Sequence, residues 1–346
     1  MEPGGGGGAT VSQPLPGVLR GASGPPVTLQ INLAPTDLPT AVHTVPHQLR
    51  QWGRQVDEVL FVVDLHRSRG KFAEGWEERL PGLRRLIEEC CTRHPHARSV
   101  DVDYSWNAKT AVERYFFSGA TMPAKDYRGA PFYAYFFALL AASHDHVLHF
   151  DSDMLFGGGS QTWMEEALQI LEHRPDVLAC NPLPGPPTTD GTLRSQALPR
   201  EPGESPAFRS PALSTRLFVL DRRRITSLRI ERPTAREALG ARIDGNPPFL
   251  PAEGVISRAM ARSGLGRIDF LGASPGMWGL HPPYRSPTFY ERLPALVAEI
   301  ERGDVPDAQR GCHEVEDCLV DWSDVRPSPR SRLETHSRLL LQRVRG

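Results

Sequence analysis

The sequence predicts an α/β fold with a mixed, mostly parallel central sheet flanked by helices. Three observations predict it. Short apolar runs rich in Val, Leu, Ile and Phe alternate along the chain with longer stretches whose apolar residues recur at helical spacing. Hydrophobic residues make up 39 % of the 346 positions, enough to bury a sheet on both faces. Two of the strand runs close on acids, one on Asp64 and one on Asp151 and Asp153. In open α/β sheets ligands gather beyond the carboxyl ends of the strands.

The elements follow in order. Residues 1–26 are Gly/Pro-rich and read as a flexible tail. Residues 27–33 (VTLQINL) read as a strand, and 38–52 as a helix with Pro46 as a bend or break. Residues 56–63 (VDEVLFVV) read as a strand buried on both faces, with Asp64 directly after it. A helix over 76–93 groups Leu80, Leu83, Leu86, Ile87 and Cys90 on one face. A short strand is expected at 97–102, a strongly apolar helix at 130–143, and a strand at 146–150 that runs into Asp151-Ser-Asp153. A helix at 161–173 and a strand at 177–180 complete the first half. Residues 182–210 are rich in Pro, Gly and Ser and too long for an ordinary connection, which predicts a substrate lid or a disordered insert. Beyond it come a strand at 213–220, a basic Arg222-Arg223-Arg224 run that reads as a solvated turn or as a contact to an anionic acceptor or the donor diphosphate, a helix at 253–262 ended by Gly264 or Gly266, a strand at 267–271, and a helix at 289–302. The last 24 residues, 323–346, carry six arginines against Asp324 and Glu334 and form a basic tail. That tail reads as a packed helix, a partner contact or a membrane-surface contact.

Composition excludes several classes. Lys+Arg total 40 against 41 Asp+Glu, so no nucleic-acid partner is expected. No apolar run is long enough to span a membrane, and the N-terminus has no basic segment followed by an apolar one. The 31 glycines and 33 prolines are about 18 % of the chain against a usual ~12 %, without a collagen-like period. The five cysteines are odd in number and sparse, so the expected location is the reducing cytoplasm. Cys312-His313 with Cys318 fits no familiar zinc spacing.

Asp151 and Asp153 stand two residues apart after an apolar strand, so both point the same way. Like charges held together are costly unless a cation lies between them. With this pair in view, four features in order resemble a GT-A glycosyltransferase, the nucleotide-sugar-dependent, Rossmann-like fold, of a family-2-like kind. They are VDEVLFVVD closing on Asp64, the basic AKDYRG at 124–129 leading into a small-residue helix, HFDSD at 149–153, and LPAE at 250–253 opening a helix that contains Arg258. The resemblance covers about residues 27–285. It implies one catalytic domain over 27–322, with a nucleotide-sugar-binding half at 27–181, the 182–210 loop or lid, and an acceptor-side half at 211–322.

The resemblance also implies roles. Asp153 coordinates a divalent metal, and Asp151 binds ribose or reaches the metal through water. Asp64 accepts a hydrogen bond from the base. Lys125 or Arg128 lies near the nucleotide or diphosphate, with Arg128 preferred because arginine makes directed fork contacts. His281, in the PGMWGLHPP loop, resembles a third metal ligand, with a structural histidine as the alternative. Trp278 either stacks on the sugar or base or fills the core. Hard oxygen donors suit Mn2+ or Mg2+, which neutralises the departing diphosphate. Glu253 matches the first acid of the family's Glu-Asp pair, whereas the second position here is Gly254. Glu253 is therefore either the general base of an inverting enzyme, the preferred reading, or places the acceptor in a retaining one. Asp244 and Asn246 sit in a turn that could face the acceptor. The donor implied is a nucleoside-diphosphate sugar, UDP-linked by default, and the acceptor a hydroxyl of a small soluble molecule. Two rivals are a nucleotidyltransferase and a degenerate sugar-binding or scaffold protein. The first lacks a Gly-rich basic loop after the first strand, where the chain reads Asn32-Leu-Ala-Pro-Thr-Asp37. The second does not account for the retained Asp151, Asp153 and Glu253.

Overall fold

Period-2 alternation inside fully buried strands organises the molecule. A computed structural model describes residues 24–67, 75–243 and 245–325. In strand β1 (Val27–Leu33) the odd-numbered residues Val27, Leu29, Ile31 and Leu33 enter one hydrophobic layer. Strand β2 (Glu58–Val63) is buried at every position. Its Val59, Phe61 and Val63 join the same layer, while Leu60 and Val62 join the opposite one. The sheet continues with β3 (Ala97–Asp101), β4 (His146–Asp151), β5 (Leu155–Gly157), β6 (Val177–Pro184), β7 (Ala207–Ser210), β8 (Leu217–Asp221), β9 (Gly266–Phe270) and β10 (Trp278–Leu280).

The path through the sheet is β3-β2-β1-β4-β8-β6-β10-β5, with β9 paired to β6 and β7 to β9. Strands β3, β2, β1 and β4 are mutually parallel, and β8, β5 and β7 run against their neighbours. The fold class expected from the sequence is the one observed. The order reverses at β1, which lies between β2 and β4, and such a switch point opens a crevice at the strands' carboxyl ends. The ends are flush there: Leu33 pairs with Val63 and Asn32 with Asp151.

Helices cover both faces. On one side lie α1 (Leu38–Trp52), α2 (Trp76–Arg93) and α5 (Trp163–His173), packed through Val45, Leu83 and Ala167 among others. On the other lie α3 (Trp106–Phe117), α4 (Tyr133–Ala141) and α7 (Ala252–Ser263), packed through Phe116, Phe136 and Ile256. Two further helices are α6 (Ala235–Ile243) and α8 (Pro287–Arg302). A third cluster joins α8 to β5, β10 and Trp322. The helix expected over 38–52 runs through Pro46 without interruption. Gly264 ends α7 in the left-handed conformation at φ 66°, and Ser286 caps α8 by accepting the Phe289 amide.

Three features depart from the sequence reading. Helix α3 has only Val112, Phe116 and Phe117 buried, too few to advertise a period, and its Ser105 cap sits among other polar residues. The strand expected at 177–180 extends to Pro184, and β7 begins at Ala207, so both ends of the 182–210 segment belong to the sheet. Between them, the amides of Arg194 and Ser195 donate to the Gly311 carbonyl, which ties the segment to residues 307–311. The third departure is the Arg222-Arg223-Arg224 run, which serves the fold. Arg222 donates to the Leu139, Leu140 and Ala142 carbonyls at the end of α4, Arg223 pairs with Asp221, and Arg224 donates to the Leu171 and Val177 carbonyls. Residues 1–23 of the expected tail and 326–346 of the basic tail lie outside the described residues. Among the described residues no helix is long and apolar enough to cross a membrane.

Candidate active site

Two cavities open at the carboxyl ends of the strands. The first, of about 390 Å3, is lined by the ends of β1, β2 and β4, including Asn32, Asp64, Lys125, Asp151 and Arg285. The second, of about 380 Å3, is lined by Asn181, Arg216, Glu253, Asp269 and His313 among others. Asp151 and Thr215 line both, so the two spaces meet there.

Asp64 ends β2 with its carboxylate buried and fully engaged. Its Oδ2 receives Lys125 Nζ at 3.2 Å, and its Oδ1 receives Tyr104 Oη at 3.0 Å and the His66 amide at 2.8 Å. Burial, with the Asp64 charge behind it, pushes the Tyr104 phenol far above its ordinary value, so Tyr104 remains a donor. The chain therefore gathers Asp64 and Lys125 in one wall of the first cavity. Arg128 lies elsewhere. Its largely exposed guanidinium leans on the Tyr127 ring and stands 3.7 Å from Asp126, and it lines the second cavity.

The Asp151-Ser152-Asp153 turn is fastened from below by α1. Gln48 Nε2 donates to the Asp151 and Met154 carbonyls at 3.0 and 2.9 Å, and the Thr44 hydroxyl donates to the Ser152 carbonyl. The two carboxylates differ. The Asp151 side chain is 44 % exposed and stands 3.7 Å from His149 Nε2. Asp153 is buried, and Arg285 holds its Oδ2 through Nη2 at 2.8 Å and Nε at 3.2 Å, while His281 Nε2 stands 3.9 Å away. Burial alone would raise the Asp153 carboxyl, but Arg285 and His281 outweigh it and hold it below the usual range. Arg285 also donates to Asp37 Oδ1 at 3.0 Å. Burial raises the Asp37 carboxyl despite that contact. Burial pushes the His281 imidazole down, so it is neutral at pH 7 and able to offer a lone pair.

Among the described residues no group of three or more His, Cys, Asp or Glu side chains is close enough to hold a metal ion. Two donors do stand together, Asp153 and His281. Asp153 Oδ1 is buried without a hydrogen-bond partner among the described residues, and the ring nitrogen facing Asp153 is His281 Nε2. A carboxylate oxygen and a neutral imidazole are an acceptable donor pair for Mn2+ or Mg2+, so these residues fit a divalent ion.

Glu253 opens α7 and reaches back to Thr215, whose amide and hydroxyl donate to Oε2 at 3.2 and 3.3 Å. Its carboxylate is thus held beside the junction of the cavities. Trp278 is 5 % exposed and packs in the third core cluster, where its ring fills the space a Cβ at Gly157 would need. It lines neither cavity. Asn246 packs over Gly129, its Nδ2 3.5 Å from the Tyr127 carbonyl, and also lines neither. Asp244 lies outside the described residues. Sequence reasoning did not single out Tyr104, Asp37, Thr215, Arg216 or Arg285. Arg285 follows His281 by four positions in a proline-rich loop, where spacing carries no periodic signal.

No family model and no curated protein matches this chain. Several solved structures are similar to it. One is the mannosyltransferase PcManGT from Pyrobaculum calidifontis in complex with GDP-Man and Mn2+, at 16 % identity over 84 % of this chain and 67 % of that one, with a TM-score of 0.40. Another is TarS from S. aureus in complex with UDP-GlcNAc, at 14 % identity over 82 % and 68 % of the two chains, TM-score 0.34. A third is glucosyl-3-phosphoglycerate synthase from Mycobacterium tuberculosis in complex with Mn2+, UDP-Glc and phosphoglyceric acid, at 14 % identity over 82 % of each chain, TM-score 0.34.

Proposed function

We propose that the protein is a metal-dependent glycosyltransferase of the GT-A kind, moving a sugar from a nucleoside-diphosphate sugar to an acceptor hydroxyl. The observation that carries this reading is the junction of the two cavities at Asp151 and Thr215, with Glu253 fixed by Thr215 on the far side. A donor in the first cavity would present its anomeric carbon toward an acceptor in the second. The Asp64 carboxylate, oriented by Lys125 and Tyr104, marks the base end of the donor cavity. Asp153 and His281 would hold Mn2+ or Mg2+, and the ion when bound supplies positive charge against the leaving diphosphate. Arg285 stands on the same side, paired with Asp153 and Asp37. Asp151, half exposed at the junction, would accept from the donor's sugar or ribose hydroxyls.

Glu253 is the base in this reading. Its Oε2 takes both Thr215 donors, and its Oε1 has no partner among the described residues. That oxygen takes the proton of the attacking hydroxyl as the new bond forms on the face away from the diphosphate, which inverts the anomeric centre. UDP is the donor nucleotide to try first. Calorimetry against a panel of nucleoside diphosphates, with Mn2+ present and then chelated, tests the reading. Metal-dependent binding of one nucleotide is expected. A folded sample that binds none refutes the donor site.

A further inference from the structure

Three arginines and three carboxylates line the second cavity, Arg128, Arg216 and Arg267 with Asp151, Glu253 and Asp269. Its arginines differ in how they are spent. Arg267 is buried and forms a two-pronged pair with Asp269, at 2.6 and 2.7 Å, so it carries no free charge. Arg128 lies at the rim against Tyr127 and Asp126. Arg216 lines the cavity half-buried, and its guanidinium has neither an ion pair nor a hydrogen bond among the described residues. Its position is fixed from the backbone, because the Arg216 carbonyl accepts the Asp151 amide at 2.8 Å.

Two neighbours reinforce it. Asn181, at the cavity wall, is 5 % exposed, and its side-chain amide makes no hydrogen bond among the described residues, so Nδ2 is left to donate. His313 stacks on His281 at 6.3 Å, and its Nδ1 also has no hydrogen-bond partner among the described residues. A guanidinium facing an enclosed polar space is poorly satisfied by sugar hydroxyls. A carboxylate or phosphate matches its fork with two charge-assisted bonds.

We infer that the acceptor is a small hydroxyl compound carrying a phosphate or carboxylate, and that Arg216, with Asn181 and His313 beside it, binds that anionic group. The inference rests on the glycosyltransferase reading for the word acceptor, while the anion site itself stands on the cavity alone. The anion sits on the β6 and β10 side of the space, and the free hydroxyl then extends toward Glu253.

The test uses the full chain saturated with UDP and Mg2+, so that the donor cavity is filled. Glycerol 3-phosphate and glycerate are titrated calorimetrically, with glycerol as the uncharged control. At least one anion is expected to bind and glycerol is not. The stronger of the two identifies the phosphate or the carboxylate as the group recognised. Arg216→Gln, checked for an unchanged melting transition, is expected to weaken that anion at least ~10-fold, as loss of a charge-assisted bond implies. Arg216→Lys is expected to lose less. Equal affinity in Arg216→Gln overturns the inference, as does a protein that binds UDP and neither anion. If Arg216→Gln abolishes UDP binding instead, and the UDP-loaded wild type ignores both anions, Arg216 belongs to the donor cavity and the inference fails. If the wild type binds no nucleotide, the anions are titrated alone. Arg216-dependent binding then supports the anion site while the donor reading falls, and no binding ends both.

Discussion

Asp153→Asn separates a structural charge from a functional one. In the folded chain Asp153 is buried and paired with Arg285. Removing one partner of a fully buried pair costs about 3–5 kcal/mol, because the other charge is stranded. Here Arg285 is not stranded. It keeps Asp37 at 3.0 Å, and its side chain is 37 % exposed. Losing the Asp153 charge also relieves Asp37, whose carboxyl that charge helps to raise. The expected net cost is therefore about 1–2 kcal/mol, a fall in melting temperature of about 2–4 °C measured without metal. Function loses far more. An amide cannot replace an anionic metal ligand, and even partners one shell further out usually cost about 10–100-fold, so metal-dependent UDP affinity and sugar transfer should each fall by at least ~100-fold. Calorimetric melting and UDP titration with and without Mn2+ measure the two effects on one sample. UDP binding that stays Mn2+-dependent in Asp153→Asn, at wild-type affinity, refutes the reasoning.

Glu253→Gln should lower transfer by at least ~100-fold while leaving UDP affinity within a factor of about two, since proton transfer alone is removed. Near-normal turnover moves the base elsewhere or favours a retaining reaction. Arg222→Ala should destabilise the fold by about 2–3 kcal/mol, because three carbonyls at the end of α4 lose their charged donor, and should leave UDP binding intact. A melting temperature equal to wild type would contradict the capping role. Glu58 predicts a pH effect. Burial would raise its carboxyl, but bonds from Thr28, Ser143 and Arg98 outweigh burial and hold it below its ordinary value of 4.5. The unfolded chain thus takes the proton first, so this stabilisation is complete above pH 4.5 and drains as pH falls through the lower folded value. Between about pH 6 and pH 3 the wild type should lose more melting temperature than Glu58→Gln. Parallel losses in the two proteins would refute it.

Much of the fold was legible because its signals are local. A strand buried on both faces reads as an unbroken apolar run, and β1 and α1 begin and end where the sequence places them. Helix α3 was illegible because three buried side chains do not make a period. For the site, the acids at strand ends were legible because a charge straight after a buried strand stands out. The sequence also leaves both roles open for Trp278 and for the arginine run. Packing against Gly157 commits the first to the core, and the carbonyls at the end of α4 claim Arg222.

By itself, then, the sequence determined the α/β class, the strand ends that face the crevice, and the acids Asp64, Asp151, Asp153 and Glu253 as candidates. Only the tertiary structure decided their partners. Asp64 meets Lys125 across 61 positions, Glu253 meets Thr215 across 38, and Asp153 meets Arg285 across 132. Only it, too, distinguished the spent guanidinium of Arg267 from the unpaired one of Arg216. The physical reason is that periodicity records which face of an element is buried, whereas the pairing of charges depends on which loops the sheet order brings to the same end.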